Sequence, residues 1–244
     1  MSTQEYLTRH VLESFLHSLT LTGHAQDFVL KGGFLLAAYG ARRPTKDADV
    51  NAIGSDVTVE GVEFDLDTIN VQDIRDGDEY PGLRVRMTAH VAGRPVVAAL
   101  DVSTGDPIVP LPRLVQVPRV LGAPIEILGY AKETAVAEKG VTILERGITS
   151  TRWRDYVDIV QLCRDGIDHN ELLRSARAVA RYRQVRLEPV SKHFKGYGAL
   201  AQPKWVAWRK KQGLEGISEL KLDDQVAAVA AILDPVFMHG PEAE

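Results

Sequence analysis

The segment KGGFLLAAYGARRPTKDADVNAIG, from Lys31 to Gly54, decides how the first half of the chain is interpreted. A glycine pair, Gly32 and Gly33, precedes an apolar run with the length of a short helix, and Gly40 lies near the end of that run. Pro44 interrupts the chain, after which KDADVNAI has the pattern of a strand. This strand unexpectedly contains two aspartates, one residue apart.

Asp47 and Asp49 lie on the same side of the predicted strand, because successive residues of a strand alternate between its two faces. Neighbouring carboxylates repel each other unless a cation offsets their charge. Mg²⁺ suits such a pair, since it binds one or two carboxylates together with phosphate oxygens. Asp101, which follows the apolar strand VVAAL, is a candidate third ligand. The alternative is that Asp47 pairs with Arg43 or Lys46 and that Asp101 merely ends a strand.

The glycine pair adds a candidate phosphate site. Gly32 and Gly33 lie between a predicted strand and a predicted helix, where exposed backbone amides can bind a phosphate and the missing Cβ allows close approach. The chain contains neither G-x-G-x-x-G nor G-x-x-x-x-G-K-[ST], which excludes the dinucleotide-binding and P-loop motifs. A phosphate site next to a metal pair matches the two ends of a nucleoside triphosphate (NTP).

Composition sets broad limits on function. The 244 residues are 45% hydrophobic and 25% charged, as in ordinary globular proteins, and the net charge is −4, so any nucleic acid must bind a local basic patch. Cys163 is the sole cysteine, which excludes an internal disulfide. The amphipathic N-terminal segment resembles neither a secretion signal nor a membrane span, so we expect a cytoplasmic protein with no membrane partner.

The periodicity of apolar residues changes near residue 128. Before it, a helix over residues 4–20 is followed by mainly strand patterns, with a hairpin predicted at Gly93 and a loop or edge region over 107–124. After it, the pattern is helical. The expected fold is therefore α/β (α+β), with a mixed-sheet core over residues 1–128 and a helical domain over 129–244.

The segment from Arg181 to Lys211 is strongly basic. It holds nine Lys or Arg residues against one acid, Glu188, and five aromatic residues are interleaved with them. Such a composition suits a surface that binds a phosphate backbone and stacks bases. Equally, it suits a solvated helix face above core aromatics. The candidate RNA-binding residues are Arg181, Arg183, Arg186, Lys192, Lys195, Lys204, Arg209, Lys210 and Lys211.

The glycine pair followed by D-x-D resembles the nucleotidyltransferase superfamily of DNA polymerase β type. Within it, the R-x-T-x-D-x-D core formed by Arg43, Thr45, Asp47 and Asp49 is similar to that of the AbiEii/AbiGii toxin family, which includes the MenT toxins. AKETAVAEKGVTILERG resembles the family helix with an active-site lysine, and TRWRDYVDIVQL resembles its R-x-x-D-x-x-D segment. The resemblance spans about residues 28–237. One departure of this sequence from the superfamily pattern is Gly33, where the wider superfamily often has serine.

The resemblance implies a polymerase β-like core and a set of site residues. It implies a metal site at Asp47 and Asp49, with Asp101 as the third carboxylate, that holds Mg²⁺ or Mn²⁺. It implies catalytic roles for Asp47, Asp49 and Lys139. It also implies an active-site role for one of two aspartates in the helical half, of which we favour Asp155 over Asp158. The nucleotide-binding residues that it implies are Lys31, Gly32, Gly33, Arg43, Thr45 and Lys139.

The expected function is transfer of a nucleoside monophosphate from an NTP to RNA. The resemblance implies a toxin with a cognate antitoxin and a tRNA 3′ end as the acceptor. A small-molecule nucleotidyltransferase of the antibiotic-modifying kind is an alternative that the basic tail disfavours. A glycosyltransferase would also use D-x-D but would not need the glycine pair. A non-catalytic nucleic-acid-binding module is a further alternative. The presence of Asp47, Asp49 and Lys139 disfavours it, because a module without catalysis would not need them.

Overall fold

A computed structural model describes residues 2–41, 48–50, 61–74, 82–103 and 107–238. The chain divides into two compact units, Met1–Asp106 with Pro112–Tyr130 and Pro107–Leu111 with Ala131–Glu244. The first combines a mixed sheet with helices, and the second is helical in its described part. The expected fold class, an α/β core followed by a helical half, is confirmed.

The first helix of the α/β unit, α1 (Thr3–Thr20), begins at a capping box. The Ser2 hydroxyl accepts from the Glu5 amide at 3.2 Å, and the Glu5 carboxylate accepts from the Ser2 amide at 2.7 Å. The apolar stripe of α1 is buried, as its spacing predicts. Glu13, on the same helix, is fully buried, and its carboxylate accepts from Arg9 and from the Val120 amide, both at 2.6 Å.

Four strands form the main sheet of the described residues, in the order β1-β4-β3-β2. Within this described sheet, the β1–β4 pair is parallel and the other two pairs are antiparallel. Ala92 and Gly93, both with positive φ, form the turn between β3 and β4, which confirms the predicted hairpin. The strands are β1 (Ala48–Val50), β2 (Val62–Ile74), β3 (Gly82–Val91) and β4 (Arg94–Ser103).

Strand β4 is central, and its side chains alternate as a strand with one buried face requires. Val96, Ala98, Leu100 and Val102 are buried, whereas Asp101 belongs to the opposite face. The pairing registers place Asp101 beside Asp49 on β1 and beside Arg84 on β3. Two residues that are distant in sequence therefore flank Asp101 in the sheet.

The stretch over 107–124, expected as a loop or edge region, contains a strand that is paired on one side. Residues Arg113–Val117 form β5, which pairs with β6 (Ile125–Gly129) in a separate two-stranded sheet. Pro112 precedes β5, Pro118 follows it and Pro124 precedes β6, so these prolines flank the strands without interrupting them. The strand predicted before the glycine pair is reduced to an isolated bridge between Leu30 and Gly129.

The helical unit surrounds a core of aromatic residues. The Trp205 and Trp208 rings stack with centroids 5.3 Å apart, and the Trp153 ring meets both edge-on. None of its described helices, nor α1, is long and apolar enough to cross a membrane. The remaining helices are α2 (Gly32–Ala38) in the first unit and α3 (Lys132–Arg146), α4 (Trp153–Leu162), α5 (His169–Tyr182), α6 (Val190–His193), α7 (Tyr197–Gln212) and α8 (Leu222–Phe237) in the second.

The contact between α3 and α8 depends on Gly140. A Cβ at this position would lie 2.9 Å from Phe237 and 3.0 Å from Leu233. In an open helix, Gly→Ala stabilises by about 1 kcal/mol. Because overpacking costs about 1–3 kcal/mol and opposes this gain, we expect Gly140→Ala to lower the free energy of unfolding by about 0–2 kcal/mol in urea denaturation.

Gly216→Ala is the matched control, because a Cβ there meets nothing within 4 Å and the backbone φ is not positive. Its free energy of unfolding should stay within about 0.5 kcal/mol of the wild type. A Gly140→Ala variant that is more stable than the wild type by about 1 kcal/mol, the full gain of an open helix, would show that α3 and α8 do not pack this closely.

Candidate active site

The predicted phosphate-binding turn lies between the Leu30 bridge and α2. Leu30 donates to the Leu128 carbonyl at 2.8 Å and accepts from the Tyr130 amide at 3.0 Å, which fixes the chain entering the turn. Gly32 has a φ of +67°, a conformation that favours glycine, and Gly33 is buried. The Lys31 ammonium lies 5.6 Å from the centre of the Tyr130 ring, within reach of a cation–π interaction.

The predicted metal ligands are only partly described. Asp47, together with Arg43 and Thr45 of the same motif, lies outside the described residues. The backbone of Asp49 belongs to β1, and its Cα pairs in register with that of Asp101 on the parallel strand β4. Two of the three predicted carboxylate residues are therefore neighbours across the sheet.

Asp101 binds an arginine that the sequence analysis did not single out. The Arg84 Nε donates to Asp101 Oδ1 at 2.6 Å, and Nη2 donates to Oδ2 at 2.5 Å. The pair is largely enclosed, with side chains 31% exposed for Arg84 and 15% for Asp101. Such bidentate, charge-assisted bonds are among the strongest polar contacts in proteins.

This ion pair bears on the prediction that Asp101 binds metal. Both carboxylate oxygens accept from Arg84, whose charge compensates the negative charge that would attract a cation. Over the ranges that the structure describes, no group of three or more His, Cys, Asp or Glu side chains is arranged to hold a metal. The described chemistry at Asp101 thus fits an arginine.

The second candidate cluster lies in the helical unit. The Lys139 Nζ, from α3, donates to Asp155 Oδ1 at 2.7 Å and to Asp158 Oδ2 at 2.8 Å, both on α4. The three side chains are 14%, 7% and 2% exposed, respectively. Asp155 and Asp158 share a helical face because they are three residues apart. Both of the alternative aspartates therefore contact the predicted lysine.

Arg152 completes this cluster from the N-terminal end of α4, where its Nε donates to Asp155 Oδ2 at 2.9 Å. Burial by itself raises the pKa of the Asp155 carboxyl, but the charges of Lys139 and Arg152 and their hydrogen bonds outweigh burial and lower this pKa to about 2. Asp155 is therefore ionised throughout the physiological pH range. Two carboxylates fix the Lys139 ammonium in one place.

The aromatic residues of the basic segment do not form a stacking surface. Phe194, Tyr197 and Trp205 are buried, and Trp208 stacks on Trp205. The positions of these aromatic residues match the alternative interpretation of the segment, in which its aromatic residues belong to the core. Only Tyr182 among the five aromatic residues is exposed.

Two of the basic residues are also structural. Arg209 is 5% exposed, and its guanidinium donates to Ser218 and to the Glu215 carbonyl, so the structure places this candidate RNA-binding residue in the interior. Arg183 is half-buried and donates to Thr142 at 2.8 Å. The exposed candidates are Arg181, Arg186, Lys192, Lys195, Lys204, Lys210 and Lys211.

Cys163, at the C-terminal end of α4, is partly exposed. Burial raises the pKa of its thiol to about 12. The thiol is therefore protonated at neutral pH, which disfavours a role as a nucleophile.

The lowered pKa of Asp155 predicts a pH-dependent contribution to stability. A carboxyl whose pKa is lower in the folded state stabilises the fold above its unfolded pKa, and loses that effect as pH falls through the folded pKa. We expect Asp155→Asn to cost about 2 kcal/mol at neutral pH, and this cost to disappear between about pH 4 and pH 2. Urea denaturation of both proteins across that range measures the difference.

Asp165→Asn is the control for this measurement, since Asp165 is an exposed aspartate shortly after α4. Its effect on the free energy of unfolding should stay within about 0.5 kcal/mol. A cost of Asp155→Asn that does not change with pH would contradict the ion pair described above.

Comparison with known proteins identifies the family. A family model described as nucleotidyl transferase AbiEii toxin, type IV toxin–antitoxin system, matches residues 14–231. No curated protein sequence matches the chain. Two solved structures have similar folds. JHP933 from Helicobacter pylori has a TM-score of 0.58 at 14% identity, covering 98% of this chain and 94% of that chain. MenT4, a nucleotidyltransferase toxin from Mycobacterium tuberculosis H37Rv, has a TM-score of 0.58 at 18% identity, covering 99% and 85%.

At these identities the two structures support the fold, whereas the family match covers most of the chain and supports the activity. The predicted resemblance and the predicted enzyme class are confirmed. The family also implies a nucleotide substrate and an antitoxin partner. The chain belongs to the AbiEii nucleotidyltransferase toxins of type IV toxin–antitoxin systems.

Proposed function

We propose that this toxin transfers a nucleoside monophosphate from an NTP to the 3′ end of tRNA, in a reaction that depends on Mg²⁺ or Mn²⁺. The observation that carries the proposal is the contact between α2, which begins at Gly32 and Gly33, and β1, which contains Asp49. This contact joins the helix that begins at the candidate phosphate-binding turn to the strand that contains Asp49. Because NTP and tRNA are both cytoplasmic, the reaction belongs in the cytoplasm.

The glycine turn would bind the phosphates through its backbone. Since α2 has only seven residues, its dipole contributes little, and the argument rests on the conformation of Gly32. A residue with a Cβ would be strained at this φ and would hold the ligand away from the backbone. Lys31, Arg43 and Thr45 complete the proposed nucleotide site.

Asp47 and Asp49 would hold the metal. Mg²⁺, when bound, polarises phosphate oxygens and neutralises charge that develops during transfer. The two carboxylates would position it against the phosphates beside Gly32 and Gly33.

Lys139 would stabilise the departing pyrophosphate, with Asp155 and Asp158 as positioning residues. Buried carboxylates on both sides hold the ammonium in one place, and such preorganised charge is effective where negative charge develops. Removing the lysine would leave two buried carboxylates without this partner, so its substitution also affects folding.

The exposed basic residues of α7 and the preceding segment would bind the RNA backbone. Lys204, Lys210 and Lys211 are exposed on α7, and Lys192 and Lys195 lie before it. Since the aromatic residues are in the core, phosphate contacts rather than base stacking would supply the affinity. Binding of this kind does not depend on base sequence.

The first test of this function is label transfer. Incubation with each α-phosphate-labelled NTP, Mg²⁺ and total tRNA should label tRNA at its 3′ end. Excess EDTA should abolish labelling, and so should tRNA whose 3′ terminus has been oxidised, because the attacking hydroxyl is then missing. Asp49→Ala should abolish labelling while circular dichroism shows a folded protein.

Each control removes one part of the proposal. Undiminished labelling of oxidised tRNA would exclude the 3′-hydroxyl as acceptor. Full activity in EDTA would exclude the metal. Equal labelling of an aminoglycoside would indicate a small-molecule nucleotidyltransferase instead.

The second test concerns the basic surface. Reversing Lys210 and Lys211 to Glu should weaken tRNA binding by at least about tenfold at low salt and reduce its salt dependence, because fewer phosphate counterions are released. Filter binding over a range of salt concentrations measures this, and binding of NTP should not change.

Arg164→Glu with Lys221→Glu is the matched control. Both residues are exposed in the same helical unit and lie outside the basic segment. This pair introduces the same change in net charge. Equal weakening of tRNA binding by both double variants would show that net charge, and not the basic segment, controls affinity.

A further inference from the structure

A row of paired residues crosses the main sheet at the candidate metal site. Asp49 on β1 pairs with Asp101 on β4, Asp101 pairs with Arg84 on β3, and Arg84 pairs with Gln72 on β2. Neighbours in such a row are about 5 Å apart at their Cα atoms. Arg84 therefore lies in the same row of the sheet as Asp49 and Asp101.

The contact between Arg84 and Asp101 has the geometry of a bidentate ion pair. Two parallel N–H groups meet two carboxylate oxygens, at 2.6 and 2.5 Å. A guanidinium stays protonated throughout the accessible pH range, and its planar shape matches a carboxylate. Both residues lie in regular strands, so their backbones are fixed by ladder hydrogen bonds on both sides.

A two-ion mechanism would need Asp101 as a ligand to the second ion. Here its two oxygens are already bound to a cation, and a divalent ion at Asp101 would be repelled by the guanidinium. The position that a second metal would occupy already has a positive charge next to it.

We propose that Asp101 binds Arg84 and not a metal, and that Arg84 supplies the positive charge that a second ion would supply. The protein then binds one divalent ion with its nucleotide, and Asp101 is not a ligand of that ion. Asp101 acts as a positioning residue that holds the guanidinium in place. This inference rests on the proposed metal-dependent function and specifies how the charge of that site is provided.

Counting bound Mn²⁺ tests the inference without measuring activity. The full-length protein is titrated with Mn²⁺ in the presence of α,β-methylene analogues of the four NTPs, and electron paramagnetic resonance reports bound ions. The wild type should bind one ion per chain, with the resolved hyperfine spectrum of an isolated Mn²⁺. Two ions a few ångströms apart would instead give a spectrum broadened by spin–spin coupling.

Three variants separate the roles. Asp101→Asn should still bind one ion with unchanged affinity, because this residue is not a ligand. Arg84→Gln should bind a second ion, because the Asp101 carboxylate loses its cation. Arg86→Gln is the matched control, an exposed arginine two residues along β3 on the same side of the sheet, and should bind one ion.

The outcomes distinguish this inference from the function on which it rests. A wild type that binds two ions, together with an Asp101→Asn variant that binds one, would overturn the inference and leave the metal-dependent function standing. A folded Arg84→Gln variant that still binds one ion would contradict the exclusion of a second ion by Arg84. If Arg84→Gln does not fold, the comparison of wild type with Asp101→Asn decides alone. Nucleotide binding with no dependence on Mn²⁺ would overturn the proposed function and this inference with it.

Discussion

The backbone pairing of β4 with β1 on one side and β3 on the other is the constraint on which the candidate site of the first unit depends. One partner is parallel and the other antiparallel, so residues separated by about fifty positions and by about twenty positions reach the same row of the sheet. A slip of one residue in either pairing would move Asp101 away from its neighbours and turn its apolar neighbours out of the core. The buried face of β4 therefore fixes the chemistry of its opposite face.

The constraint in the helical unit is different, because three charged side chains are largely buried there. Burying Lys139, Asp155 and Asp158 together is tolerable only because each has a partner of opposite charge at hydrogen-bond distance. This arrangement makes the lysine immobile and makes the surrounding fold depend on it. Lys139 therefore has a structural role in addition to the chemical role that we propose for it, and experiments on it must measure both.

The sequence predicted the helices and turns whose formation depends on nearby residues. The α1 stripe, the Gly93 hairpin and the change to helices after residue 128 follow from apolar spacing and turn residues. The β5–β6 pair was missed because its prolines suggested a loop, although they lie only at its ends. Arg84 was missed because its importance comes from register across strands, which no single strand shows. Burial of Arg209 was missed because its partners, Glu215 and Ser218, follow in a turn without a strong pattern.

Glu13 has a practical consequence for defining the folded domain. The family match begins at residue 14, immediately after the buried carboxylate that receives the Arg9 side chain and the Val120 amide. A chain shortened to the matched region would lose most of α1 and would leave that amide without its acceptor, at a cost of about 1–3 kcal/mol in addition to the lost apolar contacts. The region that the family model matches is therefore shorter than the packed unit of this protein, and expression of the catalytic domain should retain the N-terminal helix.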